Sequence, residues 1–161
     1  MHNENVIVYK NIVFDVGDVL FGYPKEPNRI HELIAQKNPL AFFPLNEGIQ
    51  ILKDCHARSL EDPTIRLFVL SNFAQRSFDF LRSTFPEVFE CFEGIVISDH
   101  VAVTKPHPLI YLHLLETYEL KPHESIFIDD KHENVKGAEV VGMRGIICTD
   151  FKAVRKELVT Y

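Results

Sequence analysis

Long hydrophobic runs are missing from this chain of 161 residues, whose longest apolar stretches, such as 65–70, are only as long as a β-strand. A membrane-spanning helix needs about 20 consecutive apolar residues, so none is expected here. The opening Met1-His2-Asn3-Glu4 lacks the cationic start and apolar stretch of a secretory signal. A soluble, cytoplasmic protein without a membrane partner is the expectation. Cysteine is scarce: Cys55, Cys91 and Cys148 are odd in number, far apart and without metal-ligand spacing. That excludes a disulfide framework and reads as three reduced, small core residues. A basic excess is also absent, with 17 Lys and Arg against 23 Asp and Glu and a net charge of −6. No general cationic field exists to hold a polyphosphate backbone, so nucleic acid is not an expected partner. Internal repeats and low-complexity tracts are lacking too.

What is present suits one globular domain covering residues 1–161: 46% of the residues are hydrophobic and 25% are charged. A chain of this size buries roughly two-thirds of its unfolded surface. Four apolar runs rich in β-branched residues or Phe read as strands, at 11–16, 65–70, 94–97 and 125–130, and a fifth follows at 145–149. Their apolarity is nearly continuous rather than alternating, as strands covered on both faces require, and that is the habit of a parallel sheet. Between them lie helical stripes. Ala74, Phe78, Leu81 and Phe85 recur at steps of four, three and four, and Ile110, Tyr111, Leu114, Leu115 and Tyr118 form a second stripe. Val135, Ala138 and Val141 form a third, which ends at Gly142, where a left-handed cap is expected. Shorter helices are expected at 29–36 and 49–55. Residues 1–9, 21–44 and 57–64 read as loose. The alternation of strand and helix predicts a doubly wound α/β sheet.

In such sheets the ligand crevice lies beyond the carboxyl ends of the strands. The first run stops at Asp15-Val16-Gly17-Asp18, the second at Ser71-Asn72, and the fourth at Asp129-Asp130. Lys105 stands where Thr104-Lys105-Pro106-His107-Pro108 is expected to begin a helix, with Pro106 or Pro108 in its first turn. Taken singly, each has an ordinary explanation: Asp15 as a turn former, Ser71-Asn72 as a helix cap, Lys105 as a solvated lysine, Asp129-Asp130 as an acidic helix start. Together they fall at one end of one sheet. An acidic cluster from two strand ends, with one hydroxyl and one lysine, is a site for a hard cation and an anionic substrate.

These residues resemble the haloacid dehalogenase-like superfamily of aspartate-nucleophile hydrolases. Phe14 to Leu20 looks like its first motif, Leu70-Ser71-Asn72 its second and Thr104-Lys105-Pro106 its third. Ile128 to Asn134, with Gly137-Ala138, looks like its fourth. The resemblance runs from about Ile12 to Thr149, and from Ser71 to Gly142 it is most similar to small sugar-phosphate phosphatases that cleave glucose 1-phosphate. It implies a Rossmann-like core of five strands, with the run of Asp15 central and the spatial order third, second, first, fourth, fifth. It also implies a phosphatase in which Asp15 attacks phosphorus and forms an aspartyl phosphate. Mg²⁺ would be held by Asp15, the carbonyl of Gly17 and Asp130, with Asp129 orienting that group from behind. Ser71 and the amide of Asn72 would hold phosphate oxygens, and Lys105 would neutralise Asp15 and the transferring group.

The match fails at one position. Phosphatases of the superfamily carry a second aspartate two residues after the nucleophile, which protonates the leaving alkoxide; here it is Gly17, although some sugar-phosphatase relatives share that glycine. General acid–base help is worth about 10²–10⁴-fold. Asp18 reads at least as well as a turn former, and His107 and His132 as exposed helix-start residues. Two alternatives follow: a metal-independent haloacid dehalogenase, against which the pair Asp129-Asp130 argues, and a weak or inactive binding module on the same fold. Little chain is left for a cap over the site, only residues 21–43 with one short helix. A nearly capless site suits a bulky phosphorylated substrate, or a small one covered by a neighbouring subunit of a homo-oligomer. The aromatics of 21–23 and 42–43 are expected to pack against the core.

Overall fold

A computed structural model describes residues 9–159. The expected opening segment therefore lies almost wholly outside the described residues. Among the described residues seven strands and eight α-helices follow one another as β1 (Asn11–Phe14), β2 (Phe21–Gly22), α1 (Arg29–Ala35), β3 (Phe43–Pro44), α2 (Asn46–Glu61), β4 (Arg66–Ser71), α3 (Gln75–Thr84), α4 (Pro86–Phe89), β5 (Gly94–Ile97), α5 (Ser98–Val101), α6 (Pro108–Thr117), β6 (Ser125–Asp129), α7 (His132–Val140), β7 (Arg144–Ile147) and α8 (Phe151–Val159). Five strands make one sheet in the order β5-β4-β1-β6-β7, every pair parallel, which is the order the resemblance implied.

Side-chain direction alternates along a strand, so each strand feeds two cores. Ile12, Phe14, Leu67, Val69, Ile126 and Ile128 face one layer with Ile51 and Leu52 of α2, Phe78 and Leu81 of α3, and Val154 of α8. Val13, Phe68, Leu70 and Phe127 face the other with Ile110, Tyr111 and Leu114 of α6 and Ala138 of α7. Every residue of β1 is buried, which explains the unbroken apolarity of its run. From β1 the chain builds outward through β4 to β5, then returns to the other side for β6 and β7. The order therefore reverses around β1, and a crevice opens there at the carboxyl ends.

Helix ends show where sequence reading and structure part. Gly142 takes φ 89°, and the amides of Gly142 and Met143 donate to the carbonyls of Glu139 and Ala138, so α7 ends in the expected left-handed cap. Helix α2 is longer than 49–55. It starts three residues earlier and runs on through Ala57–Glu61, residues with good helix propensity and few apolar positions to betray the period. It stops at Asp62, whose carboxylate accepts from the amide and hydroxyl of Thr64. Lys105 does not begin a helix. Residues that precede proline are pushed out of the α region, and Lys105 and His107 both do so; α6 starts with Pro108 as its first residue and His107 as its cap.

Residues 21–44 hold more order than a loose stretch. Strands β2 and β3 pair antiparallel and enclose α1 and a short 3₁₀ turn, Pro39–Ala41. Phe21 and Phe42 are core residues as expected, whereas Phe43 is exposed. Cys55 and Cys148 are buried and their thiols are pushed up to about 11 and about 12, chiefly by burial. Cys91 is only partly buried, against the core expectation.

Helix α7 is seated against α6 by a close approach. The Tyr111 hydroxyl donates to the carbonyl of Asn134 at 2.7 Å, and a Cβ on Gly137 would lie 2.5 Å from the carbonyl oxygen of Pro106 and 2.9 Å from the Tyr111 ring. Alanine would improve helix propensity by about 1 kcal/mol, but overpacking costs about 1–3 kcal/mol. Gly137→Ala is accordingly predicted to lower the urea unfolding midpoint; a variant more stable than the parent would show that this contact is loose.

Candidate active site

Three strand ends meet in the crevice. Asp15 follows β1 directly, and its amide continues the ladder by donating to the carbonyl of Ile128 at 2.9 Å. Ser71 closes β4 and Asp129 closes β6, with Asp130 next to it. Carboxylate oxygens of Asp15, Asp129 and Asp130 lie within 4.8 Å of one another. Lys105 reaches between two of them: its Nζ is 2.8 Å from Asp15 Oδ1 and 2.6 Å from Asp129 Oδ2, and it donates to the carbonyl of Leu70 at 3.0 Å. The side chains of Lys105 and Asp129 are 1% and 0% exposed.

Each partner is itself held. The Ser71 hydroxyl donates to Asp15 Oδ1 at 2.6 Å. Asn134 donates to both oxygens of Asp129 at 3.1 Å, and the Lys131 amide donates to Oδ1 at 2.8 Å. The Asn72 side chain pairs with the backbone of Lys105, accepting from its amide at 2.9 Å and donating to its carbonyl at 3.1 Å. Asn72 thus lies three residues before α3 rather than at its N-terminus, and its amide group secures the lysine-bearing loop.

Three carboxylates face one ammonium, so the cluster carries excess negative charge. Burial raises the Asp15 carboxyl above its ordinary value, with Asp129 adding to the rise, against the pull of Lys105 and the hydrogen bonds from Lys105 and Ser71. Asp130 is pushed up to about 6, first by burial and then by Asp129, Asp15 and Asp18. Crowding of this kind is relieved when a hard cation binds, and carboxylate and carbonyl oxygens are its preferred donors. The residues present therefore fit a divalent cation.

The sequence-predicted residues Asp15, Gly17, Ser71, Asn72, Lys105 and Asp130 all line one cleft of about 250 Å³. Asp129 lies behind them, buried. Asp18 also reaches the cleft, yet it sits in the left-handed region (φ 59°) and both its oxygens are held by Lys25 at 2.7–2.8 Å, the behaviour of a turn former. His107 caps α6, accepting from the Leu109 amide at 3.2 Å, and His132 is the exposed first residue of α7; neither borders the cleft. Sequence reasoning missed Tyr23, Ile30, His31 and Phe73, which also line the cleft. No motif marks the first three, because residues 23–31 reach the site through the β2–β3 hairpin, whereas Phe73 directly follows the second motif. Asn134 was quoted in the fourth motif without a role, and its grip on Asp129 supplies one.

A family model for haloacid dehalogenase-like hydrolases matches residues 52–142. The chain is similar to the sesquiterpene phosphatase astK of Aspergillus oryzae, 35% identical over 63% of this chain and 51% of that protein. It is also similar to the glyceraldehyde 3-phosphate phosphatase of Pyrococcus furiosus, 38% identical over 37% of this chain and 25% of that one. It thus spans about half the length of the first of these and less of the other. Among solved structures, the HAD family enzyme bt-2542 of Bacteroides thetaiotaomicron, in complex with magnesium and inorganic phosphate, superposes with a TM-score of 0.71, 18% identity and coverage of 91% and 98%. The L-2-haloacid dehalogenase of Xanthobacter autotrophicus gives 0.64, at 20% identity over 95% and 83%. Among the described residues no helix is long and apolar enough to cross a membrane.

Removing one partner of a buried ion pair leaves an uncompensated charge and costs about 3–5 kcal/mol. Lys105→Met is predicted to lose that much stability at neutral pH, measured by urea unfolding. The carboxyl of Asp15, freed from the lysine's pull, would then titrate still higher in the folded state. A folded state that binds more protons than the unfolded chain gains stability as pH falls, so the deficit should shrink between about pH 8 and pH 5. A deficit that is absent, or constant with pH, would contradict the reading of this lysine as the neutralising partner.

Proposed function

Because the chain belongs to the haloacid dehalogenase-like hydrolases, we propose that this hydrolase is a Mg²⁺-dependent phosphomonoesterase acting through an aspartyl phosphate on Asp15. The observation that carries the proposal is the bridge from Asp15 through Lys105 to Asp129, at 2.8 and 2.6 Å, beside a third carboxylate. Ser71 and Lys105 both hold Oδ1 of Asp15, and Oδ2 is assigned as the attacking oxygen. The two contacts fix the carboxylate's orientation, so the attack is in line without rotational search. Lys105 pulls the Asp15 carboxyl down against the upward push of burial and balances the charge arriving with the phosphoryl group. The amide of Asn72 would hold a phosphate oxygen, and the Ser71 hydroxyl, whose one proton goes to Asp15 here, would turn to another when substrate binds. Asp129 acts on Lys105 and on the metal group from behind. Asp15, the carbonyl of Gly17 and Asp130 would hold Mg²⁺, which when bound supplies charge neutralisation and polarises the phosphoryl oxygens.

The name of the Aspergillus oryzae relative and the magnesium and phosphate of the Bacteroides thetaiotaomicron structure support a phosphorylated substrate and Mg²⁺. Residues 1–161 are read as one hydrolase domain with 21–43 as its vestigial cap. The cleft is open enough for a bulky phosphate ester, or for a small one covered by a second subunit. With a net charge of −6, nucleic acid is not the substrate we expect. Retention of Asp15, Lys105 and the pair Asp129-Asp130 favours phosphatase over both alternatives, a metal-independent dehalogenase and a non-catalytic binder.

Hydrolysis of 4-nitrophenyl phosphate tests this directly, because its leaving group needs little protonation. The wild type should turn it over with Mg²⁺, stop with EDTA and resume when Mg²⁺ is restored. Asp15→Asn should lower kcat by about a thousandfold or more, about 4 kcal/mol of barrier. Activity surviving both EDTA and the substitution would overturn the mechanism. Metal-independent halide release from a haloacid panel would instead establish a dehalogenase, and Mg²⁺ binding without any turnover a binding module.

A further inference from the structure

We propose that His31, carried on α1, is the acid–base residue that protonates the leaving oxygen and then activates water; this rests on the phosphatase reading above. Nothing on the β1 loop can do it. Position 17 is glycine, and a Cβ built there would lie 3.2 Å from Cε1 of Tyr23, so the Tyr23 ring already occupies the space a side chain would enter. Of the other titratable groups bordering the cleft, Asp15 is the nucleophile and Asp130 a metal ligand. Lys105 is locked between two carboxylates, and Asp18 is tied through both oxygens to Lys25.

That leaves Tyr23, Lys131 and His31. Phenol and ammonium groups ordinarily titrate near 10, too high to take a proton back from water in the second half-reaction at neutral pH. Imidazole titrates close to neutrality and can serve in both directions. The Tyr23 ring is also engaged, with the Lys25 ammonium 3.3 Å from its centroid. The His31 ring is exposed to the cleft and makes no hydrogen bond to another described side chain. Its charged neighbours on α1, Arg29 and Glu32, are paired with each other at 3.2 Å, and α3, which packs on α1, presents Ser77 to the cleft.

In the first half-reaction the Asp15 carboxylate oxygen bonds phosphorus as the ester P–O bond breaks, and the leaving oxygen takes its proton from the His31 imidazolium. In the second, the neutral imidazole takes a proton from water as the water oxygen bonds phosphorus. The Asp15–phosphorus bond then breaks, releasing inorganic phosphate. The imidazolium and the carboxylate are both restored. The hairpin that carries α1 is thereby the source of a catalytic residue.

A leaving-group series separates this role from binding or folding. His31→Gln should reduce kcat on an alkyl phosphate such as glycerol phosphate by about 10²-fold or more, the usual worth of a general acid. On 4-nitrophenyl phosphate the fall should be far smaller. Tyr23→Phe should show no such dependence on the leaving group. Equal losses on both esters for His31→Gln, or none on either, would overturn the assignment, as would a leaving-group-dependent loss appearing in Tyr23→Phe instead. A wild type active on the aryl ester but inert on every alkyl ester would also overturn it while leaving the phosphatase reading intact. A wild type inert on both fails at the earlier step.

Discussion

A single ammonium group buried between two carboxylates is the constraint on which the site depends. Desolvating Lys105, Asp15 and Asp129 is costly, and the cost is offset only while all three keep their short contacts and their remaining polar atoms are satisfied. The rest of the crevice meets that requirement. The carbonyl of Leu70 and the hydroxyl of Ser71 come from β4, the carboxylates from β1 and β6, and Asn134 from α7. Asn72 clamps the lysine's own backbone through both polar atoms of its amide. Even the close packing of Gly137 against the carbonyl of Pro106 serves it, because that contact sets the depth at which the 104–108 loop enters. The parallel order of β4, β1 and β6 is what brings these groups to one end of the sheet.

Much of this was legible in the sequence because burial on both faces leaves a strong mark. The strands of Ile12, Leu67, Ile95, Ile126 and Ile146 stand out as continuous apolar runs, and the polar residues that end three of the runs lie together at the crevice. The extent of α2 was not legible, since its last turns are solvated and carry no apolar period. Two prolines made 104–108 look like a helix start, but each excludes the residue before it from the helix, so Lys105 is delivered by a turn. Least legible was the part of the cleft lined by Tyr23, Ile30 and His31. Its residues are brought over the crevice by a two-strand hairpin too short to register as strands, and nothing local distinguishes a cleft histidine from a solvated one.

Gly17 links these observations. A tight turn follows Asp15, with the amides of Leu20 and Phe21 both donating to the carbonyl of Val16 at 2.9–3.0 Å, and Tyr23 folds back over the glycine. The arrangement holds the loop after Asp15 and, on the proposed mechanism, leaves it without an acid for the leaving group. On that mechanism proton transfer falls to His31 on α1, and the chemistry is divided between the core, with Asp15, Lys105 and Ser71, and the hairpin. In this account the hairpin shapes the leaving-group side of the reaction, while the strand ends hold the phosphoryl group.

The proposed mechanism requires a phosphoryl group to rest covalently on Asp15 between two half-reactions. Acid quenching of the Mg²⁺-loaded enzyme during turnover of a radiolabelled phosphate ester, followed by peptide mapping, tests it most directly. The account predicts label on the peptide that contains Asp15, released by hydroxylamine as an acyl phosphate is. Sustained turnover with no label on that peptide, or with label on a different residue, would contradict it.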